Sequence, residues 1–123
     1  MSIKTGSVAI YRQIIEYFEY EIASGRLKEG ERVESIRTLA SNFKVNPNTV
    51  QKALTELERD GLIVTDRTNG KFVTDDKKII HDLKLKLGET ICVDFIEGVV
   101  SLGLSKDEVI EKVSRLWEEK NHG

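Results

Sequence analysis

One proline stands in the chain, Pro47, and its setting constrains the fold more than any other feature. In Val45-Asn46-Pro47-Asn48-Thr49-Val50-Gln51-Lys52-Ala53-Leu54-Thr55-Glu56-Leu57, Asn46 reads as a helix N-cap. Pro47 follows as the first helical residue, where its missing N–H leaves nothing unsatisfied. Val50, Ala53, Leu54 and Leu57 then recur at helical spacing and define one buried face. The opposite face carries Asn48, Gln51, Lys52 and Thr55, a polar surface nearly free of acids. Asn and Gln bond adenine edges bidentately in a DNA major groove, and Lys suits guanine or phosphate. A plain solvated helix face has a similar composition, so the flanking segments must decide between the two readings.

Upstream, Val8, Tyr11, Ile14, Ile15, Phe18 and Ile22 trace an apolar stripe at helical spacing. Glu16, Glu19 and Glu21 lie off that stripe, and Gly25 is a C′ stop. Arg26 to Val33 reads as a loop with a brief strand at Arg32-Val33. Ser35 caps a second helix bearing Ile36, Leu39, Ala40 and Phe43. A tight turn containing Lys44 leads from it to the helix behind Pro47, which is a helix-turn-helix pattern. A left-handed Lys44 would cost about 1 kcal/mol. Downstream, Gly61 stops the third helix. Two β-branched runs, Leu62-Ile63-Val64-Thr65 and Phe72-Val73-Thr74, flank Asp66-Arg67-Thr68-Asn69-Gly70-Lys71, whose Asn-Gly pair is a hairpin turn signal. A helix-turn-helix followed by a hairpin is a winged helix. Arg67 and Lys71 flank a wing-tip glycine, Gly70, which suits phosphate or minor-groove contact.

From Asp75 the pattern changes. Asp75-Asp76 reads as a helix start, because acids favour that end of the helix dipole. Ile80, Leu83, Leu87, Ile91, Phe95, Val99 and Leu102 imply a helix of roughly 25 residues that stops at Gly103. Ser105-Lys106-Asp107-Glu108 is a capping box opening a last helix with Val109, Ile110, Val113, Leu116 and Trp117. Ile79, Ile80, Val93, Phe95, Ile96 and Val100 occupy further faces of the long helix, which is more apolar surface than two helices can cover. A second copy of the chain is the simplest cover, and docking back onto the winged helix is the rival. The fold expected is mainly α with a small β-hairpin wing. It comprises a winged helix-turn-helix domain over 1–74 and a C-terminal two-helix dimerisation hairpin over 75–123. Leu83, Leu87, Ile91, Phe95, Val99, Leu116 and Trp117 are its expected dimerisation residues.

Net charge is −2, which argues against a general polyanion binder, yet the basic surplus is local. Between Arg32 and Lys52 stand four basic residues and one acid, Glu34. Cys92 is the only cysteine, so no internal disulfide forms and a reducing compartment is expected. No signal-peptide pattern opens the chain and no apolar run is long enough to span a membrane, which points to the cytoplasm. His81 and His122 have no partners at metal spacing. No phosphate-binding glycine loop or nucleophile elbow is present, so neither an enzyme nor a cofactor is expected.

Ala9-Ile10-Tyr11-Arg12-Gln13-Ile14, Ile22-Ala23-Ser24-Gly25-Arg26-Leu27-Lys28-Glu29-Gly30, Val33-Glu34-Ser35-Ile36-Arg37-Thr38-Leu39-Ala40, Val45-Asn46-Pro47-Asn48-Thr49-Val50 and Leu57-Glu58-Arg59-Asp60-Gly61-Leu62-Ile63 resemble the GntR family of bacterial winged-helix transcription regulators. The short two-helix tail is similar to its YtrA-like branch. The resemblance implies a homodimer on a palindromic operator in double-stranded DNA, usually repressing an operon that often includes transporter genes. It places DNA contacts at Arg37, Asn46, Asn48, Thr49, Gln51 and Gly70. Charge and placement add Lys52, Arg67 and Lys71. The chain departs from the family pattern at Ala9, Glu34, Lys44 and Lys71. Glu34 faces the DNA side, where Lys71 is expected to offset it in part. A protein-interaction module built on the same scaffold is the alternative function. The sequence identifies no small-molecule effector, although a pocket near Cys92 and Asp94 is conceivable.

Overall fold

The computed structural model describes residues 7–122, with side chains over residues 10–121; the polar lead 1–6 and the side chains of Val8, Ala9 and His122 lie outside the described residues. The elements are α1 (Ser7–Ala23), α2 (Ile36–Phe43), α3 (Pro47–Arg59), β1 (Ile63–Asp66), β2 (Gly70–Val73), α4 (Lys77–Ser101) and α5 (Lys106–His122). They form two compact units, one ending at Leu85 and one beginning at Lys86.

The first unit is built around α3. Val50, Ala53, Leu54 and Leu57 are fully buried, as the periodicity requires. α1, α2 and β1 all pack on α3. Ile14, Phe18 and Ile22 supply the α1 contribution, with Leu39 and Ala40 from α2 and Leu62, Ile63 and Val73 from the wing. Tyr11 and Ile15, expected in the same stripe, are only half-buried. Glu19 departs in the other direction. Expected off the stripe, it is buried.

Hydrogen bonds at the helix ends explain where each stops. The Ser35 side chain accepts from the Thr38 N–H, and that of Asn46 accepts from the Asn48 N–H at 2.7 Å. α2 ends at Lys44, which is left-handed (φ 58°, ψ 48°). The Lys44 N–H donates to the Ser41 carbonyl and the Val45 N–H to the Ala40 carbonyl, at 3.3 and 3.1 Å. This is a Schellman closure with lysine where glycine is usual. α3 closes the same way: Gly61 N–H donates to Glu58 and Leu62 N–H to Leu57, each at 3.0 Å. The wing pairs Ile63 with Val73 through Asp66 with Gly70. Arg32 bridges to Phe72 on the far side of β2, the brief strand that the sequence predicts.

The wing turn differs from the Asn-Gly expectation. Its loop is Arg67-Thr68-Asn69, and Gly70 already pairs in β2. The Asp66 carboxylate organises the loop, accepting from the Thr68 and Asn69 N–H groups and from Asn69 Nδ2. Those bonds, the Thr68 N–H first, hold the Asp66 carboxyl below its ordinary pKa. The local Asx geometry therefore outweighs the two-residue turn that the dipeptide suggested.

The join to α4 also differs from composition. Thr74 is buried, its N–H donates to the Leu62 carbonyl, and its Oγ1 accepts from the Asp76 N–H. Asp76 in turn accepts from the Lys78 N–H, the expected helix start. Leu83 is 5% exposed, and Lys77 pairs with Glu29 at 2.7 Å. The opening turns of α4 thus belong to the first unit, about ten residues beyond the composition boundary at 74/75. In the second unit, Ser105 and Glu108 exchange the two capping-box bonds at 3.2 and 2.9 Å, and Gly103 sits at φ +77°.

Candidate nucleic-acid interface

The buried stripe of α3 fixes the direction of its opposite face. With Val50, Ala53, Leu54 and Leu57 locked inward, Asn48, Gln51, Lys52 and Thr55 are all exposed. Gln51 Nε2 donates to Thr55 Oγ1 at 3.2 Å, and that hydroxyl donates to the Gln51 carbonyl at 2.8 Å. The pair holds the Gln51 amide along the helix surface. Asn46 is exposed, but its Oδ1 is engaged in the cap, so its first task is structural. Thr49 is half-buried, whereas Arg37 and Arg67 are exposed and make no ion pair among the described residues.

Lys52 is not a loose surface charge. Its Nζ lies 4.3 Å from the Tyr11 ring centre, with the Arg12 guanidinium 5.8 Å from the same ring. Such a contact is worth roughly 0.5–1 kcal/mol at an exposed site. The aromatic ring orients Lys52 and is shared with Arg12 of α1, a cation that sequence reasoning missed. Tyr11 falls on the apolar stripe by spacing, and only its ring packing shows the second use.

Lys71 has a different role from the one its position suggested. Its Nζ donates to Glu58 Oε1 at 2.7 Å and to Thr65 Oγ1 at 3.0 Å, and Thr65 Oγ1 donates to Glu58 Oε2 at 2.7 Å. The Lys71 charge is thereby compensated by α3 and cannot offset Glu34. Glu34 itself accepts from Asn42 Nδ2 at 3.3 Å. The Glu58-Thr65-Lys71 network ties the wing to the polar-faced helix. Burial pushes the Glu58 carboxyl up, but the bonds from Lys71 and Thr65 and the Lys71 charge outweigh it and hold the pKa low. A carboxyl whose folded pKa is depressed adds stability above its unfolded value and loses it as pH falls through the folded one. Urea midpoints should therefore decline less steeply below about pH 4.5 in Glu58→Gln than in the unaltered protein. Identical slopes would remove this network from the stability account.

Gly70 sits at φ +105°, where a side chain is strained, and a Cβ there would lie 3.3 Å from Arg32 Nη2. The wing-tip glycine thus accommodates a neighbouring guanidinium of this same chain.

In the second unit, Ile91, Phe95, Leu116 and Trp117 are exposed, Trp117 by 67%, and Leu87 and Val99 are half-buried. Leu83, expected among the dimerisation residues, is already covered within the chain and is no longer available for that purpose. Phe95, Val99, Val109 and Val113 line an apolar groove of about 500 Å³ between α4 and α5, with Cys92 on its wall. Asp94, which the sequence places near Cys92, is exposed and does not line the groove. No cluster of metal-ligating side chains and no helix long and apolar enough to cross a membrane occurs among the described residues.

Residues 10–73 match the family model of bacterial regulatory proteins, gntR family. The HTH-type transcriptional regulator YhcF of Bacillus subtilis is 35% identical over 112 residues, covering 91% of this chain and 93% of the relative. The HTH-type transcriptional repressor YtrA of the same organism is 42% identical over 72 residues, 58% of this chain and 55% of YtrA. A GntR family transcriptional regulator from Listeria monocytogenes has a solved structure that superposes with a TM-score of 0.80 at 34% identity. That match covers 94% of this chain and 98% of the Listeria chain.

Proposed function

Because the chain belongs to the GntR family of bacterial regulatory proteins, a family of DNA-binding transcription regulators, we propose that it is a homodimeric repressor acting at an inverted-repeat operator. The observation that carries the reading is the α3 surface: four fully buried apolar residues force Asn48, Gln51 and Lys52 outward on a capped, rigid helix. Asn48 and Gln51 read base edges in the major groove. Arg37, Lys52 and Arg67 position the phosphates, with Asn46, Thr49 and the Gly70 backbone adding contacts near the helix start and wing tip. Similarity to a named repressor supports the sign of regulation.

The dimer is proposed to form through residues 86–117 of α4 and α5, chiefly Leu87, Ile91, Phe95, Val99, Leu116 and Trp117. Support comes from the concentration of exposed large apolar residues there, around more than one face of α4. A two-fold dimer presents two reading helices, so half-sites should lie about 34–36 Å apart or at a multiple of that spacing. A regulator of this kind works in the cytoplasm, where Cys92 stays reduced.

The test is selection of bound duplexes from random DNA, followed by titration of the winner across salt. One enriched inverted repeat is expected, with affinity falling steeply as salt rises, because each neutralised phosphate releases counterions. Gln51→Ala and Asn48→Ala should each weaken binding by about 1–3 kcal/mol and relax preference at the bases they read. A flat salt response with no enriched repeat would refute the proposal and favour a protein-interaction module.

A further inference from the structure

Arg32 occupies an unexpected position. The Val33 N–H donates to the Lys71 carbonyl and the Val73 N–H to the Glu31 carbonyl, both at 2.8 Å, which pins Arg32 opposite Phe72. Alternation along β2 puts Phe72 and Gly70 on one face and Lys71 on the other. Arg32 therefore projects on the face away from the Glu58-Thr65-Lys71 network, and its guanidinium reaches along the strand to Gly70. A Cβ on Gly70 would lie 3.3, 3.4 and 3.7 Å from Nη2, Nε and Cζ of Arg32.

That guanidinium is exposed and has no ion-pair partner among the described residues. The acid closest in sequence to the wing tip, Asp66, is committed to the loop through three hydrogen bonds. Lys71, the wing cation that the sequence suggested, is committed to Glu58. The wing cations without an ion-pair partner among the described residues are therefore Arg32 and Arg67, one from outside the hairpin and one from its loop.

We propose that Arg32 is a DNA-contacting residue: braced against Gly70, it donates to a backbone phosphate beside the wing while Arg67 engages the duplex from the loop. This inference rests on the DNA-binding reading above and adds to it a residue that lies outside both the reading helix and the hairpin. Arginine suits the task because its fork donates two N–H bonds to one phosphate and stays charged at any working pH. A phosphate contact carries no base information, so its loss should weaken all operators alike.

The test uses the full-length protein and its selected operator. Arg32→Gln keeps most of the side-chain length and removes the charge; Arg32→Lys keeps the charge and removes the fork. Arg32→Gln should bind roughly tenfold more weakly at moderate salt, and the slope of log affinity against log salt should shrink by about one. Its sequence preference and thermal midpoint should stay unchanged, and Arg32→Lys should restore the slope. Wild-type affinity and slope in Arg32→Gln would overturn the proposal. So would a loss of affinity accompanied by a lowered thermal midpoint in both variants, because the side chain would then only support the hairpin. Salt-independent behaviour of the unaltered protein would overturn the DNA-binding reading itself, a result separable from either of these.

Discussion

Phe95→Asp is expected to turn the protein into a monomer and to remove most of its operator affinity. Phe95 is 43% exposed and lines the α4–α5 groove with Val99, Val109 and Val113. If a second copy covers this surface, an aspartate there is a buried charge with no counter-ion, which costs several kcal/mol. A dimer binds its second half-site intramolecularly, an advantage of 10²–10⁴ over independent monomers. Affinity for the full inverted repeat should fall by about that factor, while affinity for an isolated half-site should hold. Sedimentation would give the mass and a half-site titration the separation, with far-UV circular dichroism checking that helix content is retained. A Phe95→Asp protein that stays dimeric with unchanged affinity would place the dimer contact elsewhere.

Leu54→Ala should produce the largest loss of stability in the first unit. Leu54 is fully buried on α3, the helix against which α1, α2 and β1 all pack. Truncating such a residue removes transfer free energy and leaves a cavity bounded by several elements, for a cost of about 2–5 kcal/mol. Against a total stability typically of 5–15 kcal/mol, that is a large fraction. A urea titration should show a matching drop in midpoint, and operator binding should weaken only through the unfolded fraction. Gln51→Ala, at an exposed position of the same helix, should leave the midpoint within about 0.5 kcal/mol. A Leu54→Ala midpoint equally close to the unaltered value would mean that α3 is not the centre of the core.

The winged helix was legible because its signals are local. Asn46-Pro47 set a helix start, Ser35 and the Ser105–Glu108 box set two more, and Gly25, Gly61 and Gly103 mark the stops. The sequence raised a left-handed Lys44 only as a condition, and the structure supplies it, at φ 58°. The outward face of α3 followed from the inward one. What escaped was every contact between residues distant in sequence. The pairing of Lys71 with Glu58, of Lys52 with Tyr11 and of Arg32 with Gly70 joins positions 13, 41 and 38 residues apart, and no spacing rule reports them.

The chain alone thus determined the order and ends of its helices, the wing and the polar face, all of which depend on neighbours within a few residues. Only the tertiary structure decided which cations remain available to a partner. Charge in a sequence is a count, whereas availability depends on what lies within hydrogen-bonding distance after folding. Glu58 takes Lys71 out of the set of cations available at the wing, whereas Arg32 and Arg67 make no ion pair among the described residues. The fold likewise decided that Leu83 is covered within the first unit while Phe95 and Trp117 are not. Their helical spacing is the same; what differs is the presence of a packed surface beside them.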